Sequence, residues 1–204
     1  MNGIKRPYLI STMNTCRGDL QLILGTMFSG KTTYILSEMS KLSEAGYNIL
    51  YVNTDFDTRS SEAFSTHNPF FTMGDIPRNV YMTKTRTLLE LDVDKYDIIA
   101  IDESHFFDDL LAFVDRTLLS NKSLIVAGLI ADYRGQKFGQ ILDLVPICTD
   151  IIRLKAYCSV CAKSRVCTVA SHSKRIVDST EITDIGGASK YIPVCRAHYY
   201  TNTD

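Results

Sequence analysis

The sequence predicts an α/β fold, a parallel sheet flanked by helices, joined to a small C-terminal metal-binding domain that carries a long covering loop. Three observations predict it. Gly25-Thr26-Met27-Phe28-Ser29-Gly30-Lys31-Thr32 follows an apolar run and precedes a helical pattern, the placement expected of a phosphate-binding loop. Strand-like apolar runs then alternate with helical periodicity as far as residue 128, the rhythm of βαβ units. Near Lys155 that rhythm stops, and cysteines, short β-like runs and Gly186-Gly187 replace it.

In chain order, residues 20–24 read as a buried strand entering the loop and 33–45 as the helix leaving it. Gly46 suits a helix terminus, and 47–52 is rich in strand formers. Residues 60–77 are polar, aromatic and broken by Pro69 and Pro77, which predicts a long loop or lid. A short strand at 80–82 and a helix at 84–91 follow. A buried strand at 96–101 ends on Asp102-Glu103, then come a helix at 107–119 and a buried strand at 123–128. The expected domains are an N-terminal extension (1–18), a P-loop NTPase-like α/β domain (19–155) and a zinc-binding domain (156–204).

Bulk properties narrow the function. With 204 residues, 45% of them hydrophobic and 22% charged, the chain can bury a sizeable core. A formal net charge of −1 offers no global basic field for nucleic acid or an anionic membrane. No apolar run approaches the roughly 18 residues of a membrane span. The first residues, with Lys5, Arg6 and Pro7, lack the continuous apolar core of a secretory signal. Six cysteines suit disulfides only in an oxidising compartment, whereas nucleotide chemistry belongs in the reducing cytoplasm, so a cytoplasmic location is expected.

Each motif implies a chemistry. The loop from Gly25 to Thr32 brings backbone N–H groups onto phosphate oxygens at the positive end of a helix. There Lys31 is expected to meet the β- and γ-phosphates of a nucleoside triphosphate, and the Thr32 hydroxyl to ligate magnesium. Asp102, at the end of an apolar strand, supplies the carboxylate on the metal side, and Glu103 faces the attacking group. Cys158-Ser159-Val160-Cys161 and Cys195-Arg196-Ala197-His198 are two pairs of soft ligands, each spanning two intervening residues. Three thiolates and an imidazole make a closed structural zinc site, here pinning the base of a 33-residue segment. Cys16, Cys148 and Cys167 show no partner spacing. Asp57-Thr58-Arg59 can place a carboxylate and a cation near phosphate or form an ordinary solvated turn, and His105 is counted with them in the expected nucleotide site. Residues 166–190 are polar, with Gly186-Gly187 giving backbone freedom, and are expected to be mobile until a ligand orders them.

Together these residues resemble the type II thymidine kinases, the cytosolic and large-DNA-virus group. The resemblance runs over about residues 20–199 and also draws on Thr66-His67, Phe106-Phe107, Leu142-Asp143-Leu144-Val145-Pro146 and Ile185-Gly186-Gly187 with Tyr191. It implies transfer of the γ-phosphate of ATP to the 5′-hydroxyl of thymidine, and of deoxyuridine, with Glu103 as the general base. It implies a nucleoside pocket of Met27, Phe106, Leu129, Tyr133 and Phe138, closed by Thr168, Ile182, Thr183, Asp184, Ile185, Gly186 and Tyr191. It further implies a homotetramer and feedback inhibition by dTTP. The chain departs from the family pattern at Thr26 (usually proline), His105 (often glutamine), Ile130 (aspartate), Lys137 (proline) and Tyr133 (phenylalanine).

Two other functions compete. Asp102-Glu103-Ser104-His105 also spells the DExH box of ATP-driven motors, but the chain has neither the second lobe nor the basic track such motors need. A non-catalytic nucleotide sensor would not need a base such as Glu103.

Overall fold

The computed structural model describes residues 18–56, 77–177 and 189–201. Six strands form one sheet: β1 (Leu20–Gly25), β2 (Ile49–Thr54), β3 (Val80–Thr85), β4 (Ile98–Ile101), β5 (Ser123–Leu129) and β6 (Asp150–Arg153). Their order is β3-β2-β4-β5-β1-β6, and every pairing is parallel. The four inner strands are buried along their whole length, which explains why they read as near-continuous apolar runs rather than alternating ones.

Helix α1 (Lys31–Glu44) covers one face and α2 (Leu110–Leu119) the other. The two-residue period of a strand divides β1 between them. Leu20, Leu22 and Leu24 pack in the layer of Phe113 and Val114, while Ile23 packs with Ile35, Leu36 and Met39 of α1.

Downstream of the large sheet, β7 (Ala156–Tyr157) pairs antiparallel with β8 (Val169–Ala170), and β9 (His172–Arg175) with β10 (Tyr191–Val194). Short helices α3 (Ser159–Lys163) and α4 (Arg196–Tyr200) complete this lobe.

The structure corrects several expectations. No helix spans 84–91: β3 continues to Thr85, paired with Thr54, and only a 3-10 turn covers Leu88–Glu90. Leu88 alone is buried in that turn, so no apolar stripe exists to dock a helix, and the threonines at 83, 85 and 87 favour extended backbone. Helix α2 starts at Leu110, because a separate 3-10 turn takes Ser104–Phe106. Edge strand β6 and the 3-10 turn before it, Ile141–Ile147, were not anticipated, their sequences being short and without a clean period. Part of 166–190 is not open loop, since β8 and β9 lie within it and are paired. The expected loop at 60–77 lies outside the described residues except for Pro77.

Candidate active site

Strand β1 runs straight into the phosphate loop. Gly30 closes the loop at φ +85°, a left-handed conformation that glycine alone adopts freely, and so starts α1. Lys31, buried in the first turn of α1, donates its Nζ to the Thr26 carbonyl at 3.0 Å. The buried hydroxyls of Thr26 and Ser29 have no hydrogen-bond partner among the described residues.

Thr32 Oγ1 donates to Asp102 Oδ2 at 2.7 Å, tying the start of α1 to the end of β4. The hydroxyl of the fully buried Tyr51, on β2, donates to the same oxygen at 3.1 Å, and the Glu103 N–H donates to Asp102 Oδ1 at 2.8 Å. Burial pushes the Asp102 carboxyl above its ordinary value, and the neighbouring Glu103 charge adds to that. The Thr32 and Glu103 hydrogen bonds and the Lys31 ammonium pull the other way. A carboxylate so deeply desolvated gains most from a cation beside it.

Glu103 sits at φ +49°, a left-handed conformation costing a non-glycine residue about 1–2 kcal/mol. The kink ends β4 and separates the two carboxylates. Asp102 stays against Thr32 and Tyr51, while Glu103 Oε2 lies 3.6 Å from His105 Nε2 with its side chain partly open to solvent. Two carboxylates with such different neighbours can divide their chemistry, one beside a cation and one as a proton acceptor.

The expected nucleoside residues fall into two groups. Phe106 and Phe138 meet edge to face at 5.7 Å, both against the His105 ring, whose Nδ1 accepts the Leu129 N–H. Tyr133, in the turn after β5, lies under the Arg175 guanidinium at 3.8 Å, and Arg175 also donates to the Tyr191 hydroxyl at 2.7 Å. Met27 is held by its N–H, donated to Ser173 Oγ at 3.0 Å. Thr168 lies elsewhere, its carbonyl accepting the Cys158 N–H within the Cys/His cluster. Asp57, Thr58, Arg59, Ile182, Thr183, Asp184, Ile185 and Gly186 lie outside the described residues.

Sequence reasoning missed Tyr51, Ser173 and Arg175 as members of this region. A tyrosine in an apolar strand and a serine in a polar one carry no motif, and only the tertiary fold brings them to Asp102 and Met27.

Cys158, Cys161, Cys195 and His198 converge, their ligand atoms all within 4.8 Å of one another. Cys161 and Cys195 sulfurs are 3.9 Å apart, and His198 Nδ1 lies 3.3–3.5 Å from all three sulfurs. Tetrahedral zinc, with Zn–S of about 2.3 Å and Zn–N of about 2.0 Å, requires edges of about 3.8 and 3.5 Å, which the Cys161–Cys195 and His198 distances match. Burial pushes the Cys158 thiol up. Hydrogen bonds from the Cys161 and Cys195 backbone and from the His198 and Cys161 side chains outweigh it, bringing the thiol down to about 6. Thiolate character of this kind is what a metal ligand needs.

The family model described as thymidine kinase matches residues 18–199. The chain belongs to the thymidine kinase family. It is 36% identical over 184 residues to cytosolic thymidine kinase of Bos taurus, covering 90% of this chain and 73% of the relative. It is 35% identical to the Homo sapiens enzyme, covering 90% and 74%, and 37% identical to thymidine kinase of Yaba monkey tumor virus, covering 92% and 98%. Among solved structures, the flagellar accessory protein FlaH from Methanocaldococcus jannaschii has a TM-score of 0.49 at 13% identity, covering 81% of this chain and 75% of that one. Membership of the thymidine kinase family disfavours the motor and the sensor. No helix among the described residues is long and apolar enough to cross a membrane.

Proposed function

We infer that this chain transfers the γ-phosphoryl group of ATP to the 5′-hydroxyl of thymidine, and to that of deoxyuridine. The observation that carries the reading is the Thr32–Asp102 bond, which joins the phosphate loop to β4, with Glu103 beside it facing away from Asp102. Glu103 takes the 5′-hydroxyl proton as that oxygen bonds to the γ-phosphorus and the bond to the β,γ-bridging oxygen breaks, releasing ADP. Lys31 and the loop N–H groups hold the phosphates, and Thr32 and Asp102 would hold a magnesium ion, which would neutralise the phosphate charge. Asp57, Thr58 and Arg59 add to the phosphate site.

Met27, Phe106, Leu129, Tyr133, Phe138 and Tyr191 enclose the nucleoside, and the main chain at 182–186 reads the pyrimidine edge. Thr168 is assigned to the same covering loop by resemblance, although its bond to Cys158 supports a role in the zinc lobe instead. The donor distances support zinc at Cys158, Cys161, Cys195 and His198, where it ties the base of the covering segment together. A cytoplasmic homotetramer inhibited by dTTP completes the reading, resting on the family alone. Incubation with ATP, magnesium and thymidine tests it: thymidine-dependent ADP and thymidine monophosphate should form in equal amounts. ADP formation indifferent to nucleoside would refute it.

A further inference from the structure

We propose that His105 is a positioning residue for Glu103: a neutral imidazole whose Nε2–H orients the Glu103 carboxylate for proton abstraction. The proposal rests on the phosphotransfer reading above and deepens it, moving His105 from the nucleotide site to the support of the base.

The tautomer follows from chemistry. His105 Nδ1 lies 3.3 Å from the Leu129 N–H, and a backbone N–H can only donate. Nδ1 therefore carries its lone pair, and the ring proton sits on Nε2, on the side of Glu103 Oε2 at 3.6 Å. That separation is longer than a formed hydrogen bond, and such contacts in catalytic sites shorten when substrate closes them. A second proton on Nδ1 would sacrifice the Leu129 bond, so the ring is held as a neutral donor. A neutral donor fixes the direction of a carboxylate while draining less of its basicity than a cation would, which is what a general base requires.

The niche is built for this ring. His105 is only 4% exposed, with Phe106 at 4.3 Å and Phe138 at 4.6 Å between ring centroids. Gly139 passes so close that a Cβ there would stand 2.8 Å from the His105 Cα, so any larger residue would displace the His105 main chain that carries the ring. On the other side the Glu103 backbone is held at φ +49°.

Three variants test it: H105L, which keeps apolar bulk but neither nitrogen; H105Q, whose amide oxygen and nitrogen can replace Nδ1 and Nε2; and H105L combined with E103Q. Zinc content and circular dichroism establish that each is folded. H105L should lose about tenfold or more in kcat with KM for thymidine and ATP within about twofold, and H105Q should recover most of that loss. In the E103Q background H105L should cost nothing further, because its effect passes through the carboxylate. An additive loss in the double variant, an H105Q as slow as H105L, or an H105L at wild-type kcat would each overturn the assignment. A wild-type chain that phosphorylates no nucleoside would instead bring down the parent reading, and this one with it.

Discussion

Lys31, Thr32, Asp102 and Glu103 could be singled out in the sequence as one group because a phosphate loop and a strand-end carboxylate carry a motif, and the fold joins them through the Thr32–Asp102 bond. E103Q should retain ATP and thymidine binding while kcat falls by on the order of 10²-fold, the usual worth of a positioned base. Single-turnover measurement of the chemical step checks this, and near-wild-type turnover would remove Glu103 from the role. K31A should weaken ATP binding and turnover together, since its charge serves both ground and transition states. Ser173 was illegible because its worth lies in one long-range contact, the Met27 N–H donated to its hydroxyl. S173A strands that donor and should destabilise the chain by about 1–2 kcal/mol, read as a lower urea midpoint at unchanged slope. An unshifted midpoint would mean that water replaces the hydroxyl without cost.

At the scale of elements, the inner strands were readable because burial on both faces leaves them continuously apolar. Edges were not. β6 is short, and β3 extends through threonines and a lysine that hide where it stops. The Cys/His lobe was legible as a ligand set but not as two small sheets, because two-residue strands leave no periodic trace. Its stability should depend on pH in the metal-free chain. The Cys158 thiol falls from its ordinary 9.0 to about 6 on folding, so between those values the unfolded chain holds a proton that the folded one has released. Its contribution is therefore complete above pH 9 and lost as pH falls to about 6. Cys161, shifted upward, acts in the opposite sense only above its ordinary value of 9.0. Chelator-treated protein should melt at a higher temperature at pH 8.5 than at pH 6, and C158S should flatten that difference. An equal slope in C158S would place the linkage elsewhere.

For the whole molecule, the parallel sheet brings the phosphate loop, Asp102 and Glu103 to the carboxyl ends of β1 and β4, where such sheets collect their ligands. The Cys/His lobe reaches the same place through Ser173 and Arg175. The two halves thus meet at the phosphate loop, where the Met27 N–H is donated to Ser173. Such an arrangement should discriminate by nucleoside rather than by phosphate donor. The most direct test is to measure initial rates of monophosphate formation from thymidine, deoxyuridine, deoxycytidine, deoxyadenosine and deoxyguanosine with ATP and magnesium. Thymidine and deoxyuridine should both be phosphorylated, and both purines at least 10²-fold more slowly by kcat/KM, a preference of about 2.7 kcal/mol. Equal rates on deoxyguanosine and thymidine, or no product from any nucleoside, would contradict the account.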